Sequence, residues 1–388
     1  MTNNKDKKVL NVPNLRFPNF FEEWEEHYLS EYLEFKNGLN PNAEKFGRGI
    51  KFISVMDILS NNVITYDCIR ASVEITAEEL KSFIVKKGDI LFQRSSETLE
   101  DVGRANVYID DKPAVFGGFV IRGKKKSEYN PLFFKYLLAT PYARRKIIPM
   151  GAGAQHFNIG QEGLSKVKLY FPILQEQHKI ASLLQLIDER IATQNKIIED
   201  LKKLKSAIYQ ELFSNQQGEE YSLSELVEII KGQQINGNEL SENGKYYVMN
   251  GGIMPSGYYD DYNTEAGTIS ISEGGNSCGY VQYNSSKFWS GGHCYTLHIK
   301  PAAPISTLFL FHFLKWKETD IMTLRIGSGL PNIQKKDLSK VSIIVPTLDK
   351  QQRIMTLLST FQMKIEHEDM YAINLNKQKQ YLLSQMFI

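Results

Sequence analysis

An ungapped internal repeat constrains this chain more than any other feature. Leu164–Phe213 aligns onto Leu338–Phe387 at an offset of 174 residues. LSKV (Leu164–Val167) returns as Leu338–Val341, Pro172 as Pro346, Gln177 as Gln351, Ile180 as Ile354 and Phe213 as Phe387. Upstream, Asn158 and Ile159 match Asn332 and Ile333 at the same offset, and LSEYLE (Leu29–Glu34) has a fainter echo in LSELVE (Leu223–Glu228). Self-similarity on this scale means two copies of one structural plan. The 388 residues then divide into a globular part, 1–163, a tail, 164–213, a second globular part, 214–337, and a second tail, 338–388. That length suits two or three domains.

Beyond Pro172 the apolar residues Ile180, Leu184, Ile187, Ile191, Ile198, Leu201, Ile208 and Leu212 follow steps of four and three, with Gln194 and Lys205 at the remaining seam positions. The second tail sets Ile354, Leu358, Phe361, Ile365, Ala372, Leu375, Leu382 and Met386 on the same frame, with Glu368 and Lys379 where the first has Gln194 and Lys205. This is a heptad seam. Each tail reads as a helix of about 35 to 40 residues, roughly 55 to 60 Å long at ~1.5 Å per residue. A single apolar stripe must be buried, and the copy with the matching stripe is the nearest partner. The expectation is an antiparallel coiled coil; the alternative is that each helix packs on its own globular part. SNQQGEE (Ser214–Glu220) reads as the linker between repeats.

The globular parts share a style. VKKGDILFQRSS (Val85–Ser96) and TEAGTISISEGG (Thr264–Gly275) each set a glycine before a short alternating strand that enters a polar loop. GRANVYIDDKPAVFGGFVI and GYVQYNSSKFWSGGHCYTLHI each continue with two more strands. NPLFFKYLLATPYARRKI and STLFLFHFLKWKETDIMTL then read as helical, ahead of the loops Gly151–Asn158 and Gly327–Asn332. The predicted fold class is mixed α/β (α+β): two tandem duplicated domains, each followed by a long helix.

Hydrophobic residues make up 42% and charged residues 23%, an ordinary globular balance that excludes disorder or coiled coil throughout. Cys68, Cys278 and Cys294 are too few and too scattered for a disulfide framework or a four-cysteine zinc site, which points to a reducing cytoplasm. No run approaches the 18 or so apolar residues of a membrane span, and the N-terminus lacks the apolar stretch of a signal peptide.

Catalytic signatures are missing: there is no Asn-Pro-Pro-Tyr or Asp-Pro-Pro-Tyr run, no GxGxxG after a strand and no GxxxxGK[ST] loop. Asp67, Glu79 and Lys81 have a loose nuclease-like spacing, but Thr76 and Glu79 form a helix capping box that accounts for the glutamate. Cys278, His293, Cys294 and His298 are metal-ligand types, yet neighbours on a strand such as His293 and Cys294 face opposite sides. No catalytic or metal site is assigned.

The opening PNLRFPNFFEEWEEHYLSEYLEFKNG (Pro13–Gly38), the GDILF strand and the twice-used pattern of a proline, four residues, a glutamine and a long heptad helix resemble the specificity subunit of type I restriction-modification systems. The resemblance spans essentially the whole chain. It departs from strict duplication where Glu176 precedes Gln177 but Lys350 precedes Gln351. The resemblance implies two target recognition domains that each read one half of a split double-stranded DNA site, held by an antiparallel spacer. It also implies no catalysis and no cofactor in this chain. Two methyltransferase subunits and ATP-driven restriction subunits would be its partners, and these would bind S-adenosylmethionine, ATP and magnesium. A protein scaffold that never touches DNA is the alternative.

Charge alone does not decide the matter. The net charge of +2 is made of +2 over 1–163, +2 over 164–213, −4 over 214–337 and +2 over 338–388. The acidic second domain must lean on polar base readout rather than counterion release. In the first domain Arg94, Ser95, Ser96, Glu97 and Thr98 at a strand end, with Arg104, are the leading DNA-contact candidates. Gln155, His156 and Asn158, and Lys36, Asn37 and Arg48, follow. Lys124, Lys125, Lys126, Arg144 and Arg145 are either phosphate contacts or a solvated face. In the second domain the candidates are Gln233, Gln234, Asn250, Ser272, Glu273, Asn276, Ser277, Tyr280, Arg325, Ser328 and Asn332. Tyr258, Tyr259, Tyr262 and Trp289 read as core or as sugar contacts.

Overall fold

The computed structural model describes residues 11–388 apart from Asn61, Ser328 and Leu330. The chain forms two compact units: residues up to Asn195 together with Met370–Ile388, and Lys196–Asp369. The changeover falls inside two long helices, Leu174–Ser214 and Leu348–Gln385, so each unit owns half of each helix.

In the first unit the strands are β1 (Glu25–Tyr28), β2 (Leu33–Asn37), β3 (Phe46–Ile53), β4 (Ser72–Val73), β5 (Ile90–Gln93) and β6 (Ser95–Ser96). There follow β7 (Ala105–Val107), β8 (Val115–Phe116), β9 (Val120–Lys125), β10 (Gly151–Ala152), β11 (Phe157–Ile159) and β12 (Lys168–Phe171). The second unit has β13 (Glu219–Ser222), β14 (Val227–Lys231), β15 (Tyr246–Met249), β16 (Gly257–Tyr259), β17 (Thr268–Ser272), β18 (Val281–Asn284), β19 (Trp289–Ser290), β20 (Cys294–Ile299) and β21 (Ser342–Val345).

Three sheets match between the units, while the small sheet β10-β11-β6 of the first is represented in the second only by isolated bridges at Asn332. A four-stranded antiparallel sheet runs β2-β9-β5-β7 in one unit and β14-β20-β17-β18 in the other. A three-stranded sheet with one parallel pair runs β4-β3-β8 and β16-β15-β19. An antiparallel pair, β1-β12 or β13-β21, precedes each long helix. β13 begins at Glu219, so Glu219 and Glu220 are strand residues and only 215–218 connect helix to strand.

Each predicted helical stretch is in fact two helices. Pro131–Ala139 and Pro141–Ile147 are separated at Thr140, because Pro141 supplies no N–H and holds the preceding residue out of the α conformation. Thr307–Trp316 and Glu318–Thr323 are the counterparts. The side chains of Asn130 and Ser306 cap the first helix of each pair by accepting Phe133 N–H and Phe309 N–H.

The cores are aromatic and complete themselves with the tails. In the first unit Trp24, Phe133, Phe134, Phe171, Ile180 and Leu184 pack with Leu383, Met386 and Phe387. In the second, Phe213 joins Phe309, Phe313, Ile343, Ile354 and Leu358. Phe387 lies 5.4 Å from Phe133 between ring centroids, and its repeat equivalent Phe213 lies 5.7 Å from Phe309.

The seam positions of both helices face inward. Ile180, Leu184, Gln194, Ile198, Ile354, Leu358, Ile365, Ala372 and Leu375 are buried, while Ile187, Ile191, Leu201, Lys205, Phe361 and Lys379 are half-buried. Within the first unit Asp188 meets Lys379 at 2.5 Å and Arg190 meets Tyr371 at 3.0 Å. Within the second, Lys202 meets Asp369 at 4.0 Å and Lys205 meets Gln362 at 2.6 Å. As the number rises along one helix it falls along the other, so the helices run antiparallel in each unit.

Candidate nucleic-acid interface

In the first unit β5 is fully buried, and the chain emerges from it at Arg94. Ser95 and Ser96 are not loop: as β6 they pair with β11, setting Asn158 opposite Ser95. The Ser95 hydroxyl donates to Asn158 Oδ1. Thr98 Oγ1 donates to Asp101 at 2.8 Å, and Asp101 holds Arg104 at 2.6 Å. Gln155 and His156 are exposed in the turn between β10 and β11, and Glu97 is exposed beside Thr98. Ser95, Ser96, Gln155, His156 and Asn158 thus share one small sheet entered directly from Arg94.

Other first-unit candidates are engaged elsewhere. Lys36 Nζ donates to Ser82 O at 2.9 Å and to its hydroxyl at 2.5 Å, and lies 4.4 Å over the Phe83 ring. Asn37 ends β2 opposite Ile121. Arg48, exposed on β3, pairs with Glu74 at 2.7 Å. Lys124 and Lys125 occupy the end of β9 away from Val120 and pair with Glu34 and Glu128, while Lys126 reaches Ser30 O. Arg144 turns inward, donating to Glu100 O at 2.8 Å and Val102 O at 2.5 Å; burial holds its guanidinium below the ordinary value. Arg145 remains exposed.

In the second unit Glu273 is the hub. Its carboxylate takes Lys231 Nζ at 2.7 Å and Tyr295 OH at 3.0 Å, and His293 Nδ1 lies 3.7 Å away. Asn332 bridges to Gly274 and Ile326, as Asn158 bridges Ser95 and Ala152 in the first unit. Asn250 Oδ1 accepts His293 N–H at 3.1 Å, and Gln233 O accepts Trp289 Nε1–H at 2.9 Å. Gln233, Gln234, Asn276, Arg325 and Asn332 are exposed, and Ser277 is half-buried. Ser272 is buried and donates to Gly251 O at 2.6 Å, which removes it from an open surface. Tyr280 lies under Lys315 Nζ, 4.0 Å from its ring centroid. Ser328 lies outside the described residues. Tyr258 is exposed, whereas Tyr259 packs edge-on to Trp289 at 5.1 Å. Lys287 sits 4.1 Å over the ring of Tyr262.

Glu79 accepts Thr76 N–H at 2.8 Å, completing the capping box. Among the described residues no group of three or more His, Cys, Asp or Glu is placed to hold a metal ion, and no helix is long and apolar enough to cross a membrane.

Two further residues join these polar clusters through the backbone. Arg94 N–H donates to Phe119 O at 2.8 Å, and Glu273 N–H donates to His293 O at 2.9 Å. Phe119 is 68% exposed and His293 has a 63% exposed side chain. Their signal in the sequence is the pair of tripeptides GGF and GGH at Gly117–Phe119 and Gly291–His293.

The model of the type I restriction modification DNA specificity domain matches residues 21–203 and again 215–375. A protein named as a type I specificity subunit from Mycoplasma pneumoniae is 34% identical over 162 residues, 41% of this chain and 43% of that protein. One from Mycoplasma genitalium is 31% identical over 38% of each chain, so the alignments span less than half of these two relatives. A specificity subunit of a Methanocaldococcus jannaschii type I restriction enzyme is 25% identical over 94% of this chain and 92% of its own. The crystal structure of the type I S subunit from M. genitalium shares the fold, with a TM-score of 0.61 at 20% identity over 97% of this chain and 99% of that one. With both repeats matched, this chain belongs to the type I restriction-modification DNA specificity family.

Proposed function

We propose that this chain is the non-catalytic DNA-reading subunit of a cytoplasmic type I restriction-modification complex, each unit reading one half of a bipartite double-stranded target. The observation that carries the reading is the duplicated polar edge, with Arg94, Ser95 and Asn158 in one unit and Glu273, Gly274 and Asn332 at the same places in the other. Similar scaffolds with different side chains at equivalent points suit two different half-sites, because base identity is read by the hydrogen-bonding pattern presented to the groove.

The partners in this reading are two methyltransferase subunits and, for cleavage, restriction subunits. S-adenosylmethionine, ATP and magnesium belong to them rather than to this chain. Tethering explains how an acidic second domain contributes: once the first has engaged, the second binds at high effective concentration. Methylome sequencing of the host with and without this gene is the test. Loss of one bipartite adenine-methylation motif on deletion is the expected result; an unchanged methylome would leave the scaffold reading instead.

A further inference from the structure

Phe119 and His293 hold the same position in two copies of one turn. Val120 N–H donates to Gly117 O at 2.8 Å and Cys294 N–H to Gly291 O at 3.0 Å, so each residue is third in a four-residue turn that opens the central strand β9 or β20. The turns are anchored alike, Gly117 N–H to Ile53 O at 3.0 Å and Gly291 N–H to Met249 O at 2.8 Å. Both second glycines are closed in by an amide side chain. A β-carbon on Gly118 would overlap Asn40 Oδ1, and one on Gly292 would lie 2.5 Å from Gln234 Oε1. The backbone is therefore fixed, and the one side chain that projects from it is an exposed ring.

An exposed phenylalanine on such a rigid turn has no packing role to explain it, and its neighbours through Arg94 are the polar residues of the candidate edge. Pre-set aromatic rings stack on nucleobases or wedge between base steps, and an imidazole can stack or hydrogen-bond. We infer that Phe119 and His293 are specificity-determining contacts, each placing its ring against the bases of its own half-site. The exchange of phenyl for imidazole at one scaffold position then makes the two units read differently. This rests on the DNA-reading function proposed above.

The test uses the full chain assembled with its methyltransferase subunits and duplexes substituted one base at a time across the mapped target. Phe119→Ala should weaken binding to the intact target by about ten-fold, the order expected for one lost base–aromatic stack, and flatten discrimination within one half-site only. Phe119→Tyr should retain both. His293→Ala should flatten discrimination in the other half-site, leaving the first untouched. If both alanine variants bind with unchanged affinity and unchanged base preference, the inference is overturned while the DNA-reading function stands. If the unsubstituted complex shows no preference for any duplex, both fall together.

Discussion

Gln177 Oε1 accepts the backbone N–H of Asn130 at 3.0 Å, and 174 residues later Gln351 Oε1 accepts that of Ser306 at 2.9 Å. The amide nitrogens donate to Pro172 O at 3.0 Å and Pro346 O at 2.9 Å. Each buried glutamine thus fastens the first turn of a long helix to the N-cap of a domain helix, which is the physical content of the repeated proline-to-glutamine spacing. The difference between Glu176 and Lys350 leaves these contacts intact. Glu176, fully buried, forms a two-pronged pair with Arg16 at 2.7 Å, while Lys350 is exposed. Gln177→Leu strands the Asn130 N–H and Pro172 O, and Gln351→Leu strands the Ser306 N–H and the carbonyls of Pro304 and Pro346, so each should cost about 2 to 3 kcal/mol in urea denaturation of the full chain.

The two units differ beside the seam at Asp188. Asp188, buried, holds Lys379 at 2.5 Å, Tyr136 OH at 2.8 Å and Lys135 at 3.4 Å. Burial opposes its charge, but Lys379 and Lys135 outweigh that and keep the carboxyl below its usual range. At the equivalent place in the second unit stands Gln362, which gives Lys205 only an amide oxygen. Asp188→Asn should therefore lower stability by about 3 kcal/mol or more, since two cations lose their counter-charge. Gln362→Ala, which removes only neutral amide contacts to Lys205 and Glu366, should cost less than half as much. Calorimetry on both variants checks the pair.

Tyr136 has His312 as its counterpart, hydrogen-bonded to Tyr209. Burial, with Lys205 nearby, pushes the His312 pKa down to about 4. Between pH 6.5 and 4 the unfolded chain takes up a proton that the folded chain refuses, so stability falls with pH across that window and is unaffected above it. The slope approaches 1.4 kcal/mol per pH unit at most. His312→Phe should flatten the dependence of melting temperature on pH between 4 and 6.5.

Cysteine reactivity should be graded. Burial raises the Cys278 thiol and pushes Cys294 up to about 11, while Cys68 is half-buried. Maleimide at pH 7.5 should label Cys68 first and reach the other two only after unfolding, as read by mass spectrometry.

Because the chain passes between the units inside both long helices, their length should set the gap between half-sites. Seven residues inserted after Asn195 and seven after Asp369 keep both seams in frame and add about 10 Å, or roughly three base pairs. The methylome should then show two unchanged half-sites with a wider gap. An altered half-site at the original spacing would contradict this role for the helices.

The repeat and the heptads made the duplicated α/β plan and the paired tails legible, because a 3.5-residue stripe and an ungapped alignment survive without any knowledge of contacts. Short pieces were not legible. β6, β8 and β19 have two residues each, too few for any periodicity to register. Ser272 reads as a loop hydroxyl but is drawn inward by Gly251 O, and Arg144 reads as a surface cation but is consumed by two carbonyls. Glu273 gathers Lys231 from one stretch and His293 and Tyr295 from another, a convergence that only the sheet creates.

The closing contacts of the first core come from Leu383, Met386 and Phe387. During synthesis Trp24 leaves the ribosome some 360 residues, and Phe133 some 250 residues, ahead of Phe387, which covers both. The domain made first is finished last, and until then its aromatic residues remain open to chaperones and to aggregation.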